Sequence, residues 1–214
     1  MSIVGKKFPN LFVDATSKSG ITQKLNVLEK ATTEGKKVIL FWYPKDFTFV
    51  CPTELHAFQA AMDEFEKRNT IVIGASCDTP EVHFAWLNTP KNQGGIQGIT
   101  YPILADSNRN LSSQLDILDI TNERYDEETG NVLVDGDNVT YRATYLIDEE
   151  GTVFHESVNH MPLGRNVSEF LRLIDAYSHV QQNGEVCPAN WQEGATAMNA
   201  DRDGVAAYLS EHMN

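Results

Sequence analysis

The residues of this chain best placed to do chemistry lie in one short stretch, FTFVCPTEL, from Phe47 to Leu55. There Cys51 follows an apolar run, Pro52 comes next, and Glu54 stands three residues beyond the cysteine. Proline is favoured in the first turn of a helix, where its missing N–H is no loss. Pro52 therefore marks a helix start and puts Cys51 at or beside the N-cap. A sulfur at that place faces free backbone N–H groups and the positive end of the helix dipole, and both favour thiolate, the reactive form. The plain alternative is a structural cysteine, because free cysteine is among the most buried residue types. Thr48 lies three residues before Cys51. Its hydroxyl can accept and donate, so it can steady a sulfur anion and hold an incoming oxygen. Pro44 ends the preceding apolar run and is placed to shield such a site from water.

The surrounding pattern says what must hold these residues. KKVILFWYP, from Lys36 to Pro44, and NTIVIGASCD, from Asn69 to Asp78, are short apolar runs rich in β-branched residues. They read as strands buried on both faces. Between them Leu55, Phe58, Met62 and Phe65 fall on one helical stripe. Strand, helix, strand predicts a parallel pair with a right-handed crossover. PEVHFAWLN reads as a short helix, GITYPILAD carries a strand, and ATYLIDEEGTVFHESV reads as a hairpin turning at Glu150-Gly151. Asn166 begins the clearest helix as its cap, with Glu169 completing a capping box and Gly184 ending it. Beyond Gly184 the chain reads as an arm with a short helix near Val205 to Leu209, its Trp191, Tyr208 and Leu209 seeking a packing surface such as a partner chain. The expected organisation is a core over 1–165, a helix over 166–184 and an arm over 185–214. Asp119 to Thr140, with seven acidic residues and one basic, reads as a solvated loop or hairpin insert.

Composition removes whole classes of function. The formal net charge of -13 repels nucleic acid and anionic membranes. No apolar run approaches the length of about 18 residues that a membrane span needs. The opening MSIVGKKFPN lacks the pattern of a secretion signal, so the expected location is cytoplasmic. Three cysteines, Cys51, Cys77 and Cys187, are too few for a stapled fold and lie too far apart for a CxxC pair. In a reducing compartment any disulfide among them is transient and catalytic. Cys77 ends a buried strand and reads as an inert core residue. His155 and His160 supply two metal ligands at best.

The run FWYPKDFTFVCPTEL resembles the Pro-x3-Thr-x2-Cys motif of peroxiredoxins, on the side of the typical two-cysteine class and the bacterial alkyl hydroperoxide reductase catalytic subunits. GASCDTPEVHFAW, YRATYLIDEEGTV, VNHMPLGRNVSEFLRLIDA and GEVCPANW resemble further family segments in family order, covering most of residues 3–214. The resemblance implies an α/β thioredoxin-like fold, a central mixed sheet flanked by helices, with a C-terminal arm. It implies Cys51 as the cysteine that attacks a hydroperoxide, and Thr48 as a hydrogen-bond partner of both sulfur and peroxide. Arg142 would stabilise the thiolate, with Glu54 and Arg165 positioning it. Cys187 would be the resolving cysteine, pairing with Cys51 of another subunit. Arg124, in the acidic insert, rivals Arg142, which directly precedes the strand ATYLID.

GGIQG, from Gly94 to Gly98, and Tyr208-Leu209 resemble two elements tied to over-oxidation, neither perfectly, which implies intermediate sensitivity. The same resemblance implies no haem, flavin or metal, electrons from thioredoxin or a flavoprotein disulfide reductase, and a homodimer that assembles into a decamer. Two rivals are an oligomeric holdase chaperone, indifferent to Cys51→Ser, and a thiol-disulfide oxidoreductase. The latter wants a cysteine where Glu54 stands.

Overall fold

The computed structural model describes residues 2–20, 23–120, 123–134 and 136–212. The chain divides into two compact units, Met1–Arg165 and Asn166–Asn214. The first carries strands β1 (Phe12–Thr16), β2 (Gln23–Asn26), β3 (Lys37–Trp42), β4 (Thr70–Ser76), β5 (Ile103–Ala105), β6 (Glu123–Asp126), β7 (Asn131–Val134), β8 (Arg142–Ile147) and β9 (Val153–Asn159). Its helices are α1 (Val27–Glu34), α2 (Cys51–Ala60), α3 (Met62–Lys67), α4 (Pro80–Asn88) and α5 (Asn110–Gln114). The second unit holds α6 (Val167–Asn183) and α7 (Arg202–His212).

A seven-stranded sheet runs β2-β1-β5-β4-β3-β8-β9, with β6 and β7 forming a separate two-stranded ribbon. The β3/β4 and β4/β5 pairs are parallel and the rest antiparallel. This is the mixed, thioredoxin-like sheet with flanking helices. β3, reading KVILFW, is buried at every position, as a continuous apolar run requires when both faces are covered. The parallel β3/β4 pair is joined through α2 and α3. The β8/β9 hairpin turns where Gly151 takes a φ of 80°, a left-handed conformation that costs glycine little.

The stripe expected to make one helix makes two. Ala61, at φ -96° and ψ 6°, separates α2 from α3, and its N–H is shared between the carbonyls of Ala57 and Phe58. Such sharing marks a tightened turn. Leu55, Phe58 and Phe65 stay fully buried across the break, and Phe58 stacks on Phe41 of β3 at 3.9 Å between ring centroids. Tyr101 closes the same contact by donating to the Leu55 carbonyl at 2.7 Å. Phe58→Ala is expected to cost about 3–5 kcal/mol, read as a lower urea midpoint at unchanged slope.

In the second unit, Asn166 caps α6 by accepting from the Ser168 N–H, and Gly184 ends the helix at φ 69°. The Glu169 carboxylate forks the Arg172 guanidinium at 2.7 Å on both oxygens. Trp191 is 3% exposed. Its ring lies 5.0 Å from that of His179, and its N–H donates to the Ala195 carbonyl. Its packing surface therefore includes its own chain. α7 is longer than the sequence suggests, with Tyr208 stacked on His212. None of the described helices is long and apolar enough to cross a membrane.

Candidate active site

Three elements converge at one end of β3. The chain leaves the strand through buried Tyr43 and Pro44, loops out, and enters α2 at Cys51 with Pro52 in the first turn. β8 runs antiparallel to β3 with Phe41 opposite Thr144. Following β8 back to its first residue therefore reaches Arg142 beside the place where the loop begins. Inside the loop Phe47 adopts a φ of 56°, an uncommon conformation for a bulky side chain.

Cys51 is 1% exposed. Its sulfur lies 2.9 Å from the Thr48 hydroxyl and 3.4 Å from an Arg142 guanidinium nitrogen. The same hydroxyl is 2.8 Å from the Lys45 carbonyl. A hydroxyl has one proton and a carbonyl only accepts. With a thiol, the S–H donates to Thr48 and Thr48 donates to Lys45. With a thiolate, Thr48 turns its proton to the sulfur. The residue thus serves either charge state of Cys51 without moving its oxygen.

Behind the sulfur is a buried charge cluster. Glu54, one turn along α2, is 4% exposed. One of its oxygens accepts from the Arg165 backbone N–H at 3.0 Å and from Nε at 2.8 Å. The other accepts from Arg142 and, at 3.0 Å, from Arg165. Arg142 also donates from Nε to the Met161 carbonyl at 2.6 Å. Arg165 donates to the carbonyls of Trp42 and Ala143 and to the Thr144 hydroxyl, and lies over the Phe41 ring at 5.1 Å. Burial lowers the Arg165 pKa, and the Glu54 charge opposes that. Two guanidiniums and one carboxylate leave one positive charge, which a Cys51 thiolate would neutralise. Fixed donors aimed at the place where negative charge develops are an efficient stabilising device in a water-poor site.

The other candidates have different surroundings. Cys187 is a free, half-buried thiol in the second unit; its sulfur lies 3.6 Å from the Ala176 carbonyl, and burial raises its pKa while Arg172 opposes. Cys77 is buried, faces the Ser112 hydroxyl at 3.7 Å, and has its pKa pushed up by burial to about 11. Arg124 is exposed on β6 of the two-stranded ribbon, whereas Arg142 is the arginine that reaches the Cys51 sulfur. Gly94 accepts from the Trp86 indole and Gly95 meets the His56 ring at 3.1 Å. A Cβ on Gly95 would sit 1.9 Å from the Thr89 carbonyl oxygen, so no other residue fits there. Among the described residues no group of three or more His, Cys, Asp or Glu is gathered for a metal.

Sequence reading missed Tyr43, Asp46 and His83, which form a fully buried polar group under the loop. Two signals existed: an aspartate directly before the apolar FTFV run, and a histidine three residues from Trp86 on the buried side of a short helix.

Comparison with known proteins matches this arrangement to a family. The AhpC/TSA family matches residues 4–156, and the C-terminal domain of 1-Cys peroxiredoxin matches residues 176–211. An alkyl hydroperoxide reductase C of Helicobacter pylori is 43% identical over 81% of this chain and 80% of that protein. One from Buchnera aphidicola is 36% identical over the whole of both. The reduced 2-Cys peroxiredoxin of Plasmodium vivax superposes with a TM-score of 0.85 at 37% identity, covering 98% of this chain and 100% of that one. A buried cysteine at a helix start, held by threonine and arginine in a thioredoxin-like sheet, and matches that run the length of the sequence, lead to one assignment: the chain belongs to the AhpC/TSA family of peroxiredoxins.

Proposed function

We propose that the protein is a thiol-dependent peroxidase that reduces hydrogen peroxide and organic hydroperoxides. The observation that carries this is the Cys51 sulfur set between the Thr48 hydroxyl and the Arg142 guanidinium in a buried pocket. The Cys51 thiolate attacks the terminal peroxide oxygen. An S–O bond forms, the O–O bond breaks, and water or an alcohol leaves after taking up a proton. Sulfur is oxidised by two electrons to sulfenic acid. Arg142 and Thr48 face the oxygens on which charge develops. The Cys187 thiol then attacks the sulfenic sulfur, a disulfide forms and water leaves. A dithiol reductant, thioredoxin or a flavoprotein disulfide reductase, returns both thiols.

The Cys187 step is assigned between subunits. A self-assembling chain is supported by β9, an edge strand of the main sheet with Val158 53% exposed, and by Phe49, 94% exposed beside the site. Edge strands are ready-made pairing surfaces. The reading is a homodimer assembling into a decamer in a reducing, cytoplasmic compartment.

A non-reducing gel after one equivalent of hydrogen peroxide tests the cycle. A dimer-sized band in wild type, lost in both Cys51→Ser and Cys187→Ser, is the expected result. A monomer-sized band with thiols consumed would remove Cys187 from the intersubunit role, as the match of residues 176–211 to a 1-Cys domain makes worth asking. Cys77→Ala is expected to change steady-state turnover by less than about twofold, since a buried thiol with a raised pKa is inert.

A further inference from the structure

The buried polar group under the loop has a proton count that its geometry fixes. His83 of α4 is fully buried, and its Nε2 lies 3.1 Å from the Leu104 carbonyl of β5. A carbonyl only accepts, so Nε2 carries a hydrogen. His83 Nδ1 then faces Asp46 Oδ2 at 2.8 Å. The Tyr43 hydroxyl cannot supply the missing hydrogen there. Its one proton goes to the other Asp46 oxygen at 2.7 Å, while Nδ1 is 3.5 Å away. One proton must therefore lie between Asp46 and His83, whichever of them holds it. The remaining group facing this pair is Asp78, which follows β4. It accepts from the Asp46 backbone N–H at 2.9 Å and from the Ser76 hydroxyl at 2.7 Å. Burial raises the Asp46 pKa, with His83 opposing, in keeping with a proton retained at the pair.

Asp46 sits in the middle of the loop that carries Pro44 and Thr48, next to Phe47 in its left-handed conformation. Conformations of that kind persist when surrounding contacts over-determine them. Asp46 is held at both its backbone and its side chain, while Cys51, 1% exposed, must leave its pocket to meet any other thiol. We propose that Asp46 and His83 are positioning residues for the peroxidase reaction, a one-proton clasp that holds loop 43–50 in its peroxide-binding shape. Removing the shared proton leaves a carboxylate and a ring lone pair facing each other, and the loop opens. The clasp thus sets how long Cys51 stays closed for peroxide before it emerges to form a disulfide. The role rests on the peroxidase reading, but the state of the loop does not.

Amide hydrogen exchange of peptide 45–53 in the reduced protein reads the loop directly. Asp46→Ala removes two buried hydrogen bonds, to Tyr43 and to His83, and is expected to speed exchange about tenfold or more. Asp46→Asn can donate to a neutral His83 ring and still accept from Tyr43, so it is expected to restore most of the protection. Wild type relative to Asp46→Asn, taken across a series of matched pH values, should lose protection as pH rises, because only wild type needs the shared proton. Sulfinic acid formed per turnover should fall in Asp46→Ala and recover in Asp46→Asn.

Equal exchange in Asp46→Ala and wild type would overturn the clasp. So would a wild-type to Asp46→Asn ratio that does not vary with pH, and this ratio decides the matter if Asp46→Ala does not fold. Failure of wild type to consume hydrogen peroxide would sink the peroxidase reading and leave the exchange result to judge the clasp.

Discussion

Cys51→Ser is expected to lower hydroperoxide consumption by about 10⁴-fold or more, because the attacking atom itself is removed. No other thiol is placed to substitute. Cys77 is buried with its pKa pushed up to about 11. Cys187 lies in the second unit, where its sulfur meets the Ala176 carbonyl and burial raises its pKa. A serine hydroxyl at 51 would keep the Thr48 contact, so the fold should survive and the loss should be chemical. Stopped-flow peroxide consumption beside an unchanged urea midpoint would show that. Retained activity would mean that the oxidised atom lies elsewhere, and the peroxidase assignment of this pocket would fall.

The second large effect is expected at Glu54. Its carboxylate takes bonds from Arg142 and from both the backbone and the side chain of Arg165, all buried. Glu54→Gln keeps the shape but removes the one negative charge between two guanidiniums. Removing one partner from such a buried group costs about 3–5 kcal/mol. The amide N–H₂ also turns donors toward donors, so Arg142 loses its aim at the sulfur. Misplacing a donor of this kind costs about 10²-fold in kcat/KM. Both losses should appear in one variant: a lower unfolding midpoint and a slower peroxide step. Wild-type stability in Glu54→Gln would contradict a buried, mutually dependent charge cluster.

Of these two residues Cys51 was the more legible in the sequence, for a physical reason. Cys51, Thr48 and Pro44 lie within one loop and the helix start that follows it, and local rules about proline, helix ends and hydroxyls reach that far; Glu54, one turn on, stood out by its place but took its role only from the family resemblance. Arg142 and Arg165 come to the site through the register of β8 and the chain beyond β9. Spacing in the sequence is silent about that, and only the family resemblance pointed to them. The clasp was not legible. Asp46 and His83 are 37 positions apart, and each alone reads as an ordinary polar residue near an apolar run. The break at Ala61 was hidden because no glycine or proline marks it. β2 was hidden because three of its four residues, Gln23, Lys24 and Leu25, are not buried, so no strong alternation announces it.

The boundary between the compact units falls immediately after Arg165. Every side chain named here around the Cys51 sulfur precedes that boundary, and Cys187 follows it. The fate of a sulfenic acid is a race between a second oxidant and a resolving thiol, and in the proposed cycle the pocket that holds the sulfur and the thiol that would resolve it are encoded in separate stretches of sequence. In the proposed cycle, substitutions before residue 166 tune how fast the sulfur is oxidised and how long it stays closed, and those after it tune the thiol that rescues it. A lineage can therefore slide between a scavenger that survives high oxidant and a sensor that is switched off by it, changing one stretch while the other stays as it is.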